Sequence, residues 1–160
     1  MRILYSFILA LGLILAAQPV LAAGGGGGSS WSSEEKADPN FTAGTQAIDA
    51  KDWARAVTFF QKVVTKDDQN ADAFNYLGFA QRNLGDYESA FKSYAAALAI
   101  DPKHRGAHEY IGEAYLQTGN LAKAEQHLGE LDRICFFGCD EYRELKEKIA
   151  AYKAKNGKSS

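Results

Sequence analysis

From residue 37 to residue 138, apolar residues recur at helical spacing, and the whole pattern returns every 34 residues. Trp53, Tyr87 and Leu121 share one register; so do Ala56, Ala90 and Ala124, then Phe60, Tyr94 and Leu128, then Gly44, Gly78 and Gly112. Several series with one period mark a chain built from repeated supersecondary units. In the middle copy Phe74, Leu77, Tyr94 and Leu98 fall on one inner stripe. Gly78 and Ala90 sit where two helices would cross, because a larger side chain there would hold the backbones apart. Asn83-Leu84-Gly85-Asp86 and Thr118-Gly119-Asn120 read as turns, with Gly85 and Gly119 able to take the left-handed angles that close a helix. Pro102 then blocks continuation of the second helix. The pattern predicts an all-α chain with helices at about 40–51, 53–66, 71–84, 87–100, 105–118 and 121–134, and no strands.

The run Phe74-Asn75-Tyr76-Leu77-Gly78, followed by Leu84-Gly85-Asp86-Tyr87, Ala90, Tyr94, Ala97 and Asp101-Pro102, closely resembles the tetratricopeptide repeat family. The resemblance covers three units, 37–70, 71–104 and 105–138. It implies a right-handed superhelical array of helix-turn-helix pairs whose first helices line a concave face, the face on which members of this family bind partners. Carried over by register, the groove positions are Phe41, Thr45, Ile48 and Asp49 in the first unit, Asn75, Phe79, Arg82 and Asn83 in the second, and Glu109, Glu113, Leu116 and Gln117 in the third. Asn75 and Asn83 suit a peptide backbone amide through both donor and acceptor, Phe79 and Leu116 offer apolar contact, and Arg82 offers an anion site. The basic clamp that some members use for a C-terminal carboxylate is not reproduced, since Glu109 and Glu113 stand there; a peptide with a basic side chain fits better. Each of these residues also reads as the solvated face of a short helix. The first unit departs from the family pattern at Asn40, Ala43, Ala47 and Lys51, where larger apolar residues or a glycine are usual, so its outer helix is expected to be the least tightly held.

Beyond the third unit Tyr142, Leu145 and Ile149 occupy the places of Phe74, Leu77 and Gln81, as though a fourth unit began and lost its second half. A closing helix over 139–154 is expected, with Glu141, Glu144, Lys148 and Lys155 on a solvating outer face and a disordered tail over 155–160. Cys135 and Cys139, the only two cysteines, flank Phe136-Phe137-Gly138 at the junction. In an oxidising compartment such a pair reads as a disulfide that staples the closing helix. A redox-active or copper(I)-binding pair and unpaired thiols remain the alternatives.

At the N-terminus, Arg2 precedes an apolar run over 3–17 and then Pro19 and Val20-Leu21-Ala22. That order reads as a secretory signal over 1–22. The run is short of the roughly 20 residues a span needs, and no cysteine at the cleavage point could take a lipid. The expected mature protein is exported, periplasmic or else secreted, without a stable membrane anchor. The Gly/Ser-rich stretch 23–36, which includes Trp31, reads as a flexible linker, so that one domain over 37–154 remains. With 18 basic and 20 acidic residues the chain carries −2, and no basic patch interleaved with aromatics suggests nucleic acid.

His104 and His108, four residues apart, have a spacing that suits zinc on one helical face. However, His104 lies in the turn after Pro102 and His108 takes the packing place of Phe74, so both read as core or surface histidines, and His127 is remote in sequence. No activated serine, no paired catalytic carboxylates and no nucleotide loop can be named, so no catalytic residue, no cofactor and no metal site is expected. The expected function is a binding module or scaffold that holds a partner protein or extended peptide. A redox or copper-handling accessory acting through Cys135 and Cys139 is the alternative, and an architectural subunit that self-associates is a third reading.

Overall fold

The computed structural model of the protein describes residues 38–156. The expected signal over 1–22, the linker with Trp31 and the last four residues of the expected tail lie outside them. Seven helices follow in order: α1 (Pro39–Asp49), α2 (Trp53–Lys66), α3 (Ala71–Asn83), α4 (Tyr87–Ile100), α5 (Arg105–Gln117), α6 (Leu121–Ile134) and α7 (Asp140–Asn156), and the described residues contain no strand. The chain is an all-α helical repeat array, with α1–α2, α3–α4 and α5–α6 as pairs and α7 closing the row.

The 34-residue period sets the helix ends as well as the stripes. Asp52, Asp86 and Asn120 cap α2, α4 and α6, each side-chain oxygen accepting from the backbone N–H three residues on, at 3.2, 3.1 and 3.1 Å. Such a cap satisfies a donor that the first turn leaves without a partner. Asn70 and His104, also one period apart, cap α3 and α5 in the same way. The residue before each of the first three caps has a left-handed backbone: Gly85 at φ 82°, Gly119 at φ 83° and, in the first unit, Lys51 at φ 56°. That turn begins early, so α1 ends at Asp49, two residues short of the expected boundary. At the other end α7 continues through Lys155 and Asn156, where Asn156 Nδ2 donates to Tyr152 O at 2.9 Å; these two residues of the expected tail are helical.

Close approach within the pairs depends on glycine. A Cβ on Gly44 would stand 2.7 Å from the Phe60 ring, and one on Gly78 would stand 2.8 Å from the Tyr94 ring. Phe60 and Tyr94 are therefore fully buried, each contributing on the order of 2 kcal/mol of apolar burial. In the third unit the corresponding Gly112 receives Leu145 of α7, at 2.7 Å from its would-be Cβ, rather than Leu128. The closing helix thus seats itself in a socket that the earlier units fill from within.

The first helices α1, α3, α5 and α7 touch their neighbours in sequence along the row, whereas α2, α4 and α6 do not touch one another. An array whose inner row is closed and whose outer row is splayed is curved, with the first helices on the concave side. No helix of the described residues is long and apolar enough to cross a membrane.

Candidate functional site

The concave row presents α1, α3, α5 and α7, and the twelve groove positions assigned by register divide into three kinds of environment. In the first unit Phe41 is turned into the core, edge-on to Phe60 at 5.5 Å and to Tyr76 at 5.7 Å between ring centres. Ile48 packs against the same cluster. Thr45 is half-buried with its hydroxyl donated to Thr42 O, and of the four only Asp49 is exposed. This end of the row is mostly occupied with holding the first two units together.

In the middle of the row the structure buries charge. Arg82, read from the sequence as an open anion site, is 7% exposed. Its guanidinium donates to Glu113 of α5 and lies 5.2 Å from the Phe79 ring centre and 5.7 Å from that of Tyr110. A desolvated cation in such a place needs a hydrogen-bonded counter-charge, and Glu113 supplies it. Lys148 of α7 donates to the other oxygen of Glu113 and reaches Glu109 at 3.4 Å. Lys148 is therefore not part of a solvating outer face, and neither is Glu141, whose carboxylate pairs with Arg105 at 3.6 Å. Glu113 is already spent on internal cations, which removes half of the sequence argument for a basic ligand. Glu109 is 4% exposed, and burial, followed by its hydrogen bond with Glu144, pushes its pKa up to about 8 despite Lys148. Near neutral pH it holds a proton.

The third environment borders two clefts, although Leu116, Asn75 and Glu109 are themselves buried. Leu116 and Gln117 of α5, with Glu113, line a cleft of about 600 Å³ shared with Lys148, Tyr152 and Lys155 of α7. Asn75 and Glu109 line a second cleft of about 380 Å³ where α3 and α5 begin. Asn75 is 4% exposed and its amide oxygen has no partner among the described residues, whereas the exposed Asn83 gives its amide hydrogen to Phe79 O at 2.8 Å. Phe79 is wedged between Trp53, at 5.8 Å, and Tyr110, at 4.9 Å.

Cys135 and Cys139 bring their sulfurs to disulfide distance, 2.07 Å, between α6 and α7. Phe136 and Phe137 in the loop between them are 87% and 96% exposed. The Glu141 carboxylate lies close enough that it and the two sulfurs fall within 4.8 Å of one another.

The histidines do not converge on a shared centre. His104 Nε2 lies 3.0 Å from Asp72 Oδ1. His108 instead meets His127, their Nδ1 atoms 3.0 Å apart, and its Nε2 lies 3.1 Å from Pro102 O. Since a carbonyl only accepts, His108 donates through Nε2 and accepts from the Nδ1–H of His127. Burial, with His108 as the second cause, holds His127 down to about 4, so His127 enters this contact as a neutral ring. Sequence reasoning missed the pair, although one period supplies the clue: position 127 corresponds to Ser93, which donates to Gln81 on the facing helix at 2.7 Å. Position 127 therefore also faces a neighbouring helix.

Two sequence models of the tetratricopeptide repeat match, over residues 41–105 and 82–149. PcrH in complex with the chaperone binding region of PopD superposes with a TM-score of 0.67 at 24% identity, covering 78% of this chain and 96% of that one. SycD, the type III secretion chaperone of Yersinia enterocolitica, in complex with a peptide of the translocator YopD, superposes with a TM-score of 0.65 at 22% identity, covering 80% and 98%. Among curated proteins, human protein O-mannosyl-transferase TMTC3 is 29% identical over 75 residues, 47% of this chain and 8% of that protein. The chain thus spans less than a tenth of that relative, and the shared part is a repeat segment.

Proposed function

We propose that this chain, which belongs to the tetratricopeptide repeat family, is an exported binding module that holds a partner protein or extended peptide along the row α1, α3, α5 and α7. One observation carries the reading: the first helices form a closed, curved row whose α5–α7 end leaves an amphipathic cleft of about 600 Å³ over Leu116, Gln117 and Tyr152. A cleft of that size, with Leu116, Ala151 and Tyr152 set among Glu113, Gln117, Lys148, Lys155 and Asn156, offers both apolar and polar contact to a side chain and its flanking backbone. The likeness to PcrH and SycD, whose structures contain a bound segment of another protein, supports it. Such a fold is a non-catalytic scaffold. Export rests on the charged, apolar and small-residue order of the first 22 residues.

A photo-crosslinking residue placed at Gln117 in the native compartment is expected to capture a discrete polypeptide that the same residue at Gln126, exposed on α6, does not. Equal capture at both positions would remove the concave row as the binding face. The redox or copper-handling reading has one observation behind it, the Cys135–Cys139–Glu141 cluster. Mass spectrometry of the non-reduced protein separates the two: an intact internal disulfide supports the staple, and bound copper supports the accessory.

A further inference from the structure

The loop between α6 and α7 displays two aromatic rings that no other described residue covers. The Gly138 N–H donates to Cys135 O at 2.8 Å, and the Cys135–Cys139 link joins the ends of the loop. That short closed turn carries Phe136 and Phe137 at its tip, where the two rings meet edge to face at 5.0 Å. A single exposed apolar side chain needs no explanation. An adjacent pair, held by a closed loop and left almost wholly in water, has the character of an interface anchor, which binds at little cost in ordering. Around its base Arg133 and Arg143 are taken by Glu130 and Asp140, and Glu141 is taken by Arg105. Asp132, also exposed there, has no cationic partner among the described residues.

A surface of the complementary character lies in the first unit. Thr58, Gln61, Lys62, Thr65 and Lys66 of α2 line a shallow groove of about 400 Å³ that is mostly apolar. The cause is local: the hydroxyls of Thr58 and Thr65 donate back to Ala54 O and Gln61 O, at 3.0 and 2.7 Å, which leaves the threonine methyl groups for the groove. A cavity of about 150 Å³ holds one benzene ring, so the groove has room for two. The helix carries Arg55, Lys62 and Lys66 and no acid. Lys66 is paired with Asp38 at 2.7 Å, whereas Lys62 has only the Phe59 ring, centred 5.4 Å from its Nζ.

We propose that the Phe136–Phe137 tip of one copy of this chain seats in the α2 groove of a second copy, with Lys62 facing Asp132 and the incoming rings. Two matches within the one sequence single out a second copy: two rings against a groove of their size, and a leftover anion against a leftover cation. The acid at the base of the tip speaks against an anionic lipid surface. Tip and groove are different surfaces, so the contact is heterologous and joins copies in a row or a ring. It is small beside the roughly 1,600 Å² of a standard interface, so the association is weak and grows with concentration. Neither surface belongs to the helices of the concave row, which stays free for its own partner.

Sedimentation velocity of the purified full chain over a wide concentration range tests the contact, and wild type is expected to gain weight-average mass as concentration rises. Phe136→Ser with Phe137→Ser removes the tip, and Thr58→Asp with Lys62→Glu removes the groove; all four side chains are exposed, so both variants should keep the helical circular dichroism of wild type. Each variant alone should associate at least about tenfold more weakly. An equimolar mixture of the two should nevertheless form a one-to-one dimer, because each supplies the surface that the other lacks. A wild type that stays monomeric at every concentration overturns the proposal. So does a mixture that stays monomeric while wild type associates, since tip would then be meeting tip or some other surface. Flotation of a monomeric wild type with phosphatidylcholine vesicles, lost in the phenylalanine variant, would assign the tip to lipid and overturn the second copy as its occupant.

Discussion

Lys51 occupies the place that Gly85 and Gly119 hold in the next two units, and its left-handed backbone at φ 56° is the only positive φ at a non-glycine among the described residues. A Cβ in that region crowds the following carbonyl and costs roughly 1–2 kcal/mol, whereas glycine enters it freely. Lys51→Gly is expected to raise the unfolding free energy by about 1 kcal/mol after glycine's own entropic cost, read as a higher urea midpoint with an unchanged slope; a lower midpoint would show that the turn is not strained. The sequence named Lys51 as a departure from the repeat, and the repeat period is what made it visible. Arg82 is the opposite case. Its register on the inner face was readable, but its burial against Glu113, Phe79 and Tyr110 was not, because no local pattern tells an exposed arginine from one whose partner lies 31 residues away.

Among the elements, α7 differs most from its expected role. It was legible as a helix placed after the third unit, and Leu145 fills over Gly112 the space that Phe60 and Tyr94 of the second helices fill over Gly44 and Gly78. Lys148 was read as solvating, yet it reaches across to α5, and Lys153 also pairs inward with Glu125 of α6 at 2.5 Å. The Cys135–Cys139 link ties the end of α6 to the start of α7, with Cys135 packed on the cluster that holds Leu145 and Ile149. A bridge closing so short a loop removes about 2 kcal/mol of unfolded-state entropy. Replacing both cysteines by serine should therefore lower stability by about 2 kcal/mol in chemical denaturation, with amide exchange quickening in α7 well before α3 and α4. Uniform quickening along the chain would mean that the bridge does not act on α7 in particular.

For the whole molecule, the buried ionic centre makes stability depend on pH. The folded pKa of Glu109, about 8, lies well above the ordinary carboxylate value of about 4.5, so the folded state binds the extra proton across that window. The sign follows: the stabilisation from this group is complete below about 4.5 and is lost as pH rises through about 8. Glu109→Gln, which keeps the neutral shape, should flatten the profile and make the protein more stable than wild type by about 2 kcal/mol at pH 9. Parallel profiles for the two proteins would show that Glu109 is already ionised when folded. Repetition explains why so much of the architecture could be read in advance. Helix bounds and the small residues at the crossings are local choices made three times over, and the turn glycine is a choice made twice, so the sequence alone determined the helix pairs, their order and which side of each faces inward. Which inward-facing groups remain open to a partner was decided only by the tertiary structure. The 34-residue period brings residues 31 to 39 apart into contact across neighbouring units. Whether a carboxylate there is free or already neutralised depends on which cation the next unit happens to deliver, and in a low-dielectric groove that choice outweighs any preference written in the residue itself.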